Sequence, residues 1–236
     1  MRKAAVEIVS GSLDGIEIFQ GLTPAARQTL GNRCAWREYG PKQLIVGHEE
    51  PSRTVFFLVT GRVRVSVYSS TGKRVTYTDI DAGEMFGEFA AIDGEPRSAS
   101  VEATHTSLIA SMSPDLFWEM LHSHPEVNEA VLRRLTRKAR SLSRQLYEFS
   151  TLSARDRLRL ELLRLASGSL NEKDTAIVKD APTHEDLATR IGSQRETVSR
   201  EMAELATMGI IEQERRILTI KNVSALRRLV DEALDG

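Results

Sequence analysis

Two stretches of this chain carry residue types and spacings that could do chemistry. The first is Gly83-Glu84-Met85-Phe86-Gly87-Glu88-Phe89, followed by Pro96-Arg97-Ser98-Ala99. Gly87 permits close backbone approach, and N–H groups there could cradle an anion. Arg97 could neutralise a phosphate, with Ser98 adding a hydrogen bond. Glu88 is odd beside a phosphate but suits a ribose hydroxyl, as acidic residues do in dinucleotide folds. The plainer alternative is an ordinary loop with a surface salt bridge. The second stretch is Gln194-Arg195-Glu196-Thr197-Val198-Ser199-Arg200. At the exposed start of a helix, arginine can bond guanine in bidentate fashion and glutamate can accept from cytosine N4. The plainer alternative makes Glu196 the partner of Ser193 in a capping box, and Arg195 and Arg200 a solvated face.

Composition bounds these readings. The 236 residues, at 26.3 kDa, suffice for one large domain or two ordinary ones. Hydrophobic residues at 41% and charged residues at 28% read as soluble and globular. The net charge of −1 gives no global basic field of the kind nucleic-acid binders often carry. Basic residues nevertheless cluster locally. Between Arg133 and Arg159 there are nine against two acids, and Arg215 and Arg216 join Arg195 and Arg200 further on.

The single cysteine, Cys34, excludes an intramolecular disulfide and a four-cysteine metal cluster, and points to a reducing compartment. No apolar run approaches the roughly 18 residues that span a bilayer. Residues 1–15 are interrupted by Glu7, Ser10 and Asp14, which is no signal-peptide core. A cytoplasmic protein without membrane contact is expected. The histidines His48, His105, His122, His124 and His184 show no ligand spacing beyond His122-Ser123-His124, so no metal site is expected. There is no nucleophile–base constellation and no P-loop, so catalysis is not expected either.

The elements that must position these residues change character along the chain. From about 41 to 112 the sequence is rich in β-branched residues and glycine. Val55-Phe56-Phe57-Leu58-Val59 predicts a strand, Arg62 to Tyr68 alternates strictly, residues 69–72 form a turn, and residues 73–80 alternate again. Residues 98–112 give one or two more strands. Short strands with glycine turns and no long helix between them predict a β-roll or barrel. Ser113-Pro114-Asp115 opens a helix that His122, His124 and Pro125 end. A long helix follows from about 126 to 149. Its apolar residues fall on two rows, Leu132, Ala139, Leu146 and Leu135, Leu142, Phe149, which are a and d positions of a coiled-coil seam. A helix packed on its own domain is the alternative to a parallel homodimer.

Residues 150–154 read as a hinge. Ser153 caps a helix to about Ala166, and residues 167–180 read as a polar loop. From Thr183 the chain is helical to Gly209, with a first helix ending at Ile191, Gly192 in the turn, and Ser193 capping the second helix. Ala188, Gly192 and Val198 have the spacing of two crossed helices. A strand pair, 210–213 and 217–220, flanks Glu214-Arg215-Arg216 as a small hairpin, the wing of a winged helix. A last helix covers 223–234.

Arg195-Glu196-Thr197-Val198-Ser199-Arg200 resembles the recognition helix of the CRP/FNR family of bacterial transcription regulators, in its cyclic-AMP-responsive rather than oxygen-sensing branch. The resemblance implies base contacts to a GTGA-type half-site from Arg195, Glu196 and Arg200, with Gln194 and Ser199 alongside and Thr183 on a phosphate. Residues 83–99 resemble that family's phosphate-binding cassette. This implies a cyclic nucleotide held by Gly87, Glu88, Phe89, Arg97 and Ser98, with Val65 and Tyr77 in the same β-roll. Where the family presents Thr-Ser to the purine from the dimer helix, this chain has Leu142 and Ser143. Loss of one adenine-specific hydrogen bond implies cAMP binding with tolerance of cGMP.

The implied architecture is α+β. Residues 1–125 form a cyclic-nucleotide-binding β-roll, 126–152 a coiled-coil dimerisation helix and hinge, and 153–236 a winged helix-turn-helix. The implied partners are double-stranded DNA, a second copy of the chain, and RNA polymerase. A relative sensing haem or redox state through Cys34 or the histidines is the rival within the family. An enzyme carrying a regulatory nucleotide domain is the rival outside it.

Overall fold

Strand β3 (Val55–Thr60) shows how the first half of the chain is built. Val55, Phe56, Phe57 and Leu58 are all buried, yet successive side chains of a strand point to opposite faces. Val55 and Phe57 enter one apolar cluster with Phe19, Met85, Phe117 and Met120. Phe56 and Leu58 enter another with Tyr39, Val63, Ile80, Phe86 and Ile109. A strand with two cores must be apolar throughout, which is why the run reads as unbroken. The computed structural model describes residues 11–68 and 74–235. The expected turn at 69–72 and residues 1–10 of the N-terminal stretch lie outside them.

The chain divides into two compact units, residues through Lys138 and residues from Ala139. In the first, α1 (Pro24–Asn32) precedes two four-stranded antiparallel sheets. One has the order β1 (Ala35–Tyr39), β8 (Ser107–Met112), β3, β6 (Met85–Phe86). The other has the order β2 (Leu44–Val46), β7 (Ser100–Ala103), β4 (Arg62–Tyr68), β5 (Arg74–Asp81). A short helix α2 (Glu88–Asp93) follows β6, and α3 (Pro114–Ser123) closes the first core, with Ser113 as its N-cap and Pro114 at its first position. Val127, Val131 and Leu135 of α4 (Pro125–Thr151) pack on the same core. The strands and helices expected from periodicity are present here.

The second unit holds the end of α4, then α5 (Ala154–Ala166), α6 (His184–Arg190), α7 (Arg195–Thr207) and α8 (Val223–Asp235) around a three-stranded sheet. Its order is β10 (Ile211–Glu214), β11 (Ile217–Ile220), β9 (Ala176–Lys179). Strand β9 corrects the expected loop at 167–180. It is four residues long, set among polar turn residues, and its only signal is the alternation of Ala176 and Val178 toward Ile220 and Leu218. Helix α4 continues to Thr151, so the expected hinge shrinks to Leu152 and Ser153. At Ser153 the backbone is extended, and its hydroxyl caps α5 by accepting from the Asp156 N–H.

Candidate functional site

The strongest electrostatic feature of the first unit is a buried cation. Arg97 is only 4% exposed. Its guanidinium donates from Nη1 to the Gly87 carbonyl at 2.8 Å, from Nη2 to the Thr54 carbonyl at 2.8 Å, and from Nε to the Ser52 hydroxyl at 3.1 Å. Its charge also lies 5.5 Å from the centre of the Phe56 ring. Among the described residues no carboxylate comes within ion-pair distance of it. Burial pulls its pKa below the usual arginine value, and the carboxylates of Glu50 and Glu88 oppose that pull from further off. The Ser52 hydroxyl that accepts from Arg97 also bonds Glu50. Glu50 is held below the usual carboxylate range, first by the Gly47 N–H at 3.0 Å and then by Ser52. The guanidinium is therefore aimed by neutral oxygens, with the Glu50 and Glu88 charges acting only from a distance, an arrangement that favours an anion in direct contact.

Gly87 is part of the same device. Its φ is +80°, and a Cβ there would fall 2.8 Å from Arg97 Nη1 and 3.0 Å from the Thr54 carbonyl. Glycine at this position is a steric requirement of the arginine's seat. Glu88 follows, 1% exposed, with Lys138 Nζ of α4 at 3.3 Å from Oε1. The same ammonium lies 4.2 Å from the centre of the Phe89 ring. The carboxylate accepts from one flexible amine and keeps further acceptor capacity. Ser98 is exposed beside Arg97, and Phe89 is half-buried.

Gly87, Glu88, Phe89 and Arg97 are thus brought into one cluster by the turn after β6 and by the segment leading to β7. Val65 is half-buried on β4. Tyr77 is 52% exposed and is the extra residue where the β4–β5 register shifts, between Val65 opposite Thr78 and Ser66 opposite Thr76. Sequence reasoning missed the buried polar pair Ser66 and Thr76 at this bulge, and it missed Ser52 and Lys138. Polar residues inside an alternating strand were the available signal for the first two. Leu142 and Ser143 are both exposed on α4.

In the second unit, Val198, Glu201, Met202 and Leu205 of α7 are buried. At about 100° per residue they define one side, Glu196 and Arg200 fall on the other, Ser199 lies on the flank, and Arg195 is exposed in the first turn. Gln194, Arg195, Glu196 and Arg200 are exposed. Among the described residues neither guanidinium has a hydrogen-bond or ion-pair partner. The N-cap is Gln194, without a side-chain cap, so the expected capping box of Ser193 with Glu196 is not formed. The Ser193 N–H instead bonds the Ala188 carbonyl and closes the turn. Gly192, at φ +60°, sits against Phe149, whose ring a Cβ would meet at 2.6 Å. Thr183 caps α6 in a capping box with Asp186. Ser199 is half-buried and its hydroxyl lies 2.9 Å from His184 Nδ1, a partner sequence reasoning also missed.

Comparison with known proteins bears on these two clusters separately. Residues 36–124 match the cyclic nucleotide-binding domain model, and residues 156–229 match the Crp-like helix-turn-helix domain model. Together they span more than half of the chain, in the order that the resemblance implies. The chain belongs to the CRP/FNR family. It is 26% identical over 212 residues to the CRP-like cAMP-activated global transcriptional regulator of Mycobacterium tuberculosis, covering 89% of this chain and 95% of that protein. Among solved structures, a mutant of CooA from Carboxydothermus hydrogenoformans superposes with a TM-score of 0.78 at 20% identity, over 95% of this chain and 98% of that one. The c-di-GMP-responsive global regulator CLP of Xanthomonas campestris gives 0.72 at 16% identity, over 83% and 97%. The CRP/FNR fold is therefore shared by proteins that respond to different signals.

As a CRP/FNR member the chain is a DNA-binding transcription regulator with a cyclic nucleotide-binding domain, and not an enzyme. No described helix is long and apolar enough to cross a membrane. Its local basic patches are smaller than the sequence suggests. Of the nine basic residues from Arg133 to Arg159, Arg133, Arg134, Arg137, Lys138, Arg155 and Arg159 pair with carboxylates. Arg157 spends its donors on the Ile191 and Leu152 carbonyls. On the wing, Arg216 pairs with Asp180 at 2.8 Å. Of the histidines, His122 stacks on Trp118 and His124 lies 3.6 Å from Glu126.

Proposed function

We propose that this chain is a homodimeric regulator whose DNA binding is controlled by a cyclic nucleotide, cAMP with tolerance of cGMP. The observation that carries the reading is Arg97, a buried guanidinium beside Gly87 and Glu88 with no carboxylate in ion-pair contact among the described residues. A cyclic phosphate supplies the missing anion, and Glu88 accepts from the ribose hydroxyl once Lys138 gives way. Ser98 adds a donor, and Phe89, Val65 and Tyr77 line the nucleotide in this reading. Leu142 in place of a hydroxyl residue removes one contact that separates adenine from guanine, while Ser143 keeps the other.

In this reading residues 1–125 sense the ligand, 126–152 dimerise, and 153–236 bind DNA in the cytoplasm. Nucleotide binding shifts a pre-existing equilibrium toward the form in which both recognition helices face successive major grooves. Arg195, Glu196 and Arg200 read TGTG-type half-sites of a near-palindrome, with Gln194, Ser199 and Thr183 on the flanking base edge and phosphate. RNA polymerase is the downstream partner.

Calorimetric titration of the full chain with cAMP and cGMP, repeated with Arg97→Lys, tests the ligand. The lysine keeps the charge and loses the planar fork. Affinity is expected to fall about ten- to a hundredfold, the worth of hydrogen bonds to a charged group. A cGMP affinity several orders of magnitude below that for cAMP refutes the tolerance. Binding to a symmetric TGTG-type duplex that ignores nucleotide refutes the control.

A further inference from the structure

His184, the first residue of α6, ties together three elements of the second unit. Its Nδ1 lies 2.9 Å from the Ser199 hydroxyl on α7, and its Nε2 lies 3.2 Å from Gln213 Oε1 on β10 of the wing hairpin. With the Gln213 amide oxygen facing the ring, and an amide oxygen able only to accept, the proton is assigned to Nε2. In the neutral ring Nδ1 is then the acceptor and takes the Ser199 hydroxyl proton.

This assignment has a consequence for recognition. A serine hydroxyl normally donates or accepts, and so discriminates poorly between base edges. Ser199, half-buried on the flank of α7, lies at about 40° around the helix from Arg195, between it and Glu196. With its proton committed to His184, what remains is an oxygen with free lone pairs. We infer that His184 is a specificity-determining positioning residue: by taking the Ser199 proton, it makes Ser199 an obligate acceptor, selective for a base that offers an exocyclic amine. In the major groove those are cytosine N4 and adenine N6, against the oxygens of guanine and thymine. Gln213 completes the device by holding the ring in the required tautomer. The inference rests on the reading above that α7 enters the major groove.

The test is the relative affinity of the full chain, with saturating cAMP, for a set of symmetric duplexes substituted at each half-site position. His184→Ala and Ser199→Ala are each expected to lower the preference for cytosine or adenine at one and the same position, by about five- to tenfold, the worth of one hydrogen bond. The double variant is expected to lose no more than either single one. His184→Asn keeps an acceptor near Nδ1 and is expected to restore the preference. Uniform loss across all sequences in His184→Ala, additive losses, or failure of His184→Asn to rescue would each overturn the role of His184. Arg195→Ala separates this from the underlying reading. If its base preferences equal those of the wild type, α7 does not read bases, and both readings fall together.

Discussion

At the scale of single residues, what decides a role here is whether a polar atom is already satisfied. Arg97 and Arg155 are the same residue type, yet Arg155 pairs with two glutamates while Arg97 meets only neutral oxygens. The sequence could flag Arg97, because a glycine-bearing turn and an acid stood nearby. It could not flag Lys138 or His184, whose partners lie 50 residues away and 15 to 29 residues away.

Cys34 makes the contrast in the other direction. It sits between α1 and β1, against the first core, and burial pushes its thiol up to about 11. The nearby Arg33 charge opposes this without reversing it. At pH 7 the reactive thiolate is then scarce, which speaks against a redox sensor at this residue. Iodoacetamide should label native Cys34 at pH 8 more than a hundredfold more slowly than free cysteine, and the rate should climb only as pH approaches 11. Labelling at the free-thiol rate would contradict the burial argument.

At the scale of elements, the helices were legible wherever apolar periodicity and caps agreed, as for α3 and α5. The first turn of α7 was misplaced by one residue, because Ser193 is used to close the turn. Strand β9 was missed because four residues cannot show a period, and its hydrogen bonds come from β11, some 40 residues on. The seating of α7 was also hidden. Glu201, 1% exposed on its inner side, accepts from Arg155 Nε at 2.6 Å and from Arg159 Nε at 2.7 Å, both on α5. Arg159 is itself held by Asp156 at 3.1 Å.

A buried pair of this kind adds little over an apolar contact, but losing one member strands a buried charge and costs about 3–5 kcal/mol. Glu201→Ala leaves the largely buried Arg159 to Asp156 alone and should loosen α7 on α5, raising hydrogen-exchange rates of α7 amides about tenfold or more. Arg155 is half exposed and its loss should cost within about 1 kcal/mol, with little change in exchange. Equal effects from the two substitutions would mean that Glu201 is not the residue that seats the helix.

At the scale of the whole molecule, the single chain leaves an apolar stripe on α4 uncovered. Leu132, Leu142, Leu146 and Phe149 are 58%, 53%, 69% and 46% exposed, and Ala139 is exposed with them. They are the a and d residues expected of a seam, apart from Leu135, which is turned into the first core. Phe149 is shared: it lies on Gly192, and the Arg157 guanidinium stands 4.8 Å from its ring centre.

Burying a leucine contributes about 1.5–3 kcal/mol, and a two-fold seam buries every position twice. The sum is of order 10 kcal/mol, comparable to the cost of association, so one well-placed change should tip the balance. Leu146 is the most exposed of the stripe and an a position. In a parallel pair it faces its own copy, and Leu146→Glu sets two carboxylates against each other in the seam. Sedimentation at micromolar concentration should give a dimer for the wild-type chain and a monomer for the variant. Affinity for a two-half-site duplex should fall with it, while affinity for a single half-site stays the same. A wild-type monomer, or a variant that stays dimeric, would show that this stripe is not where two copies meet.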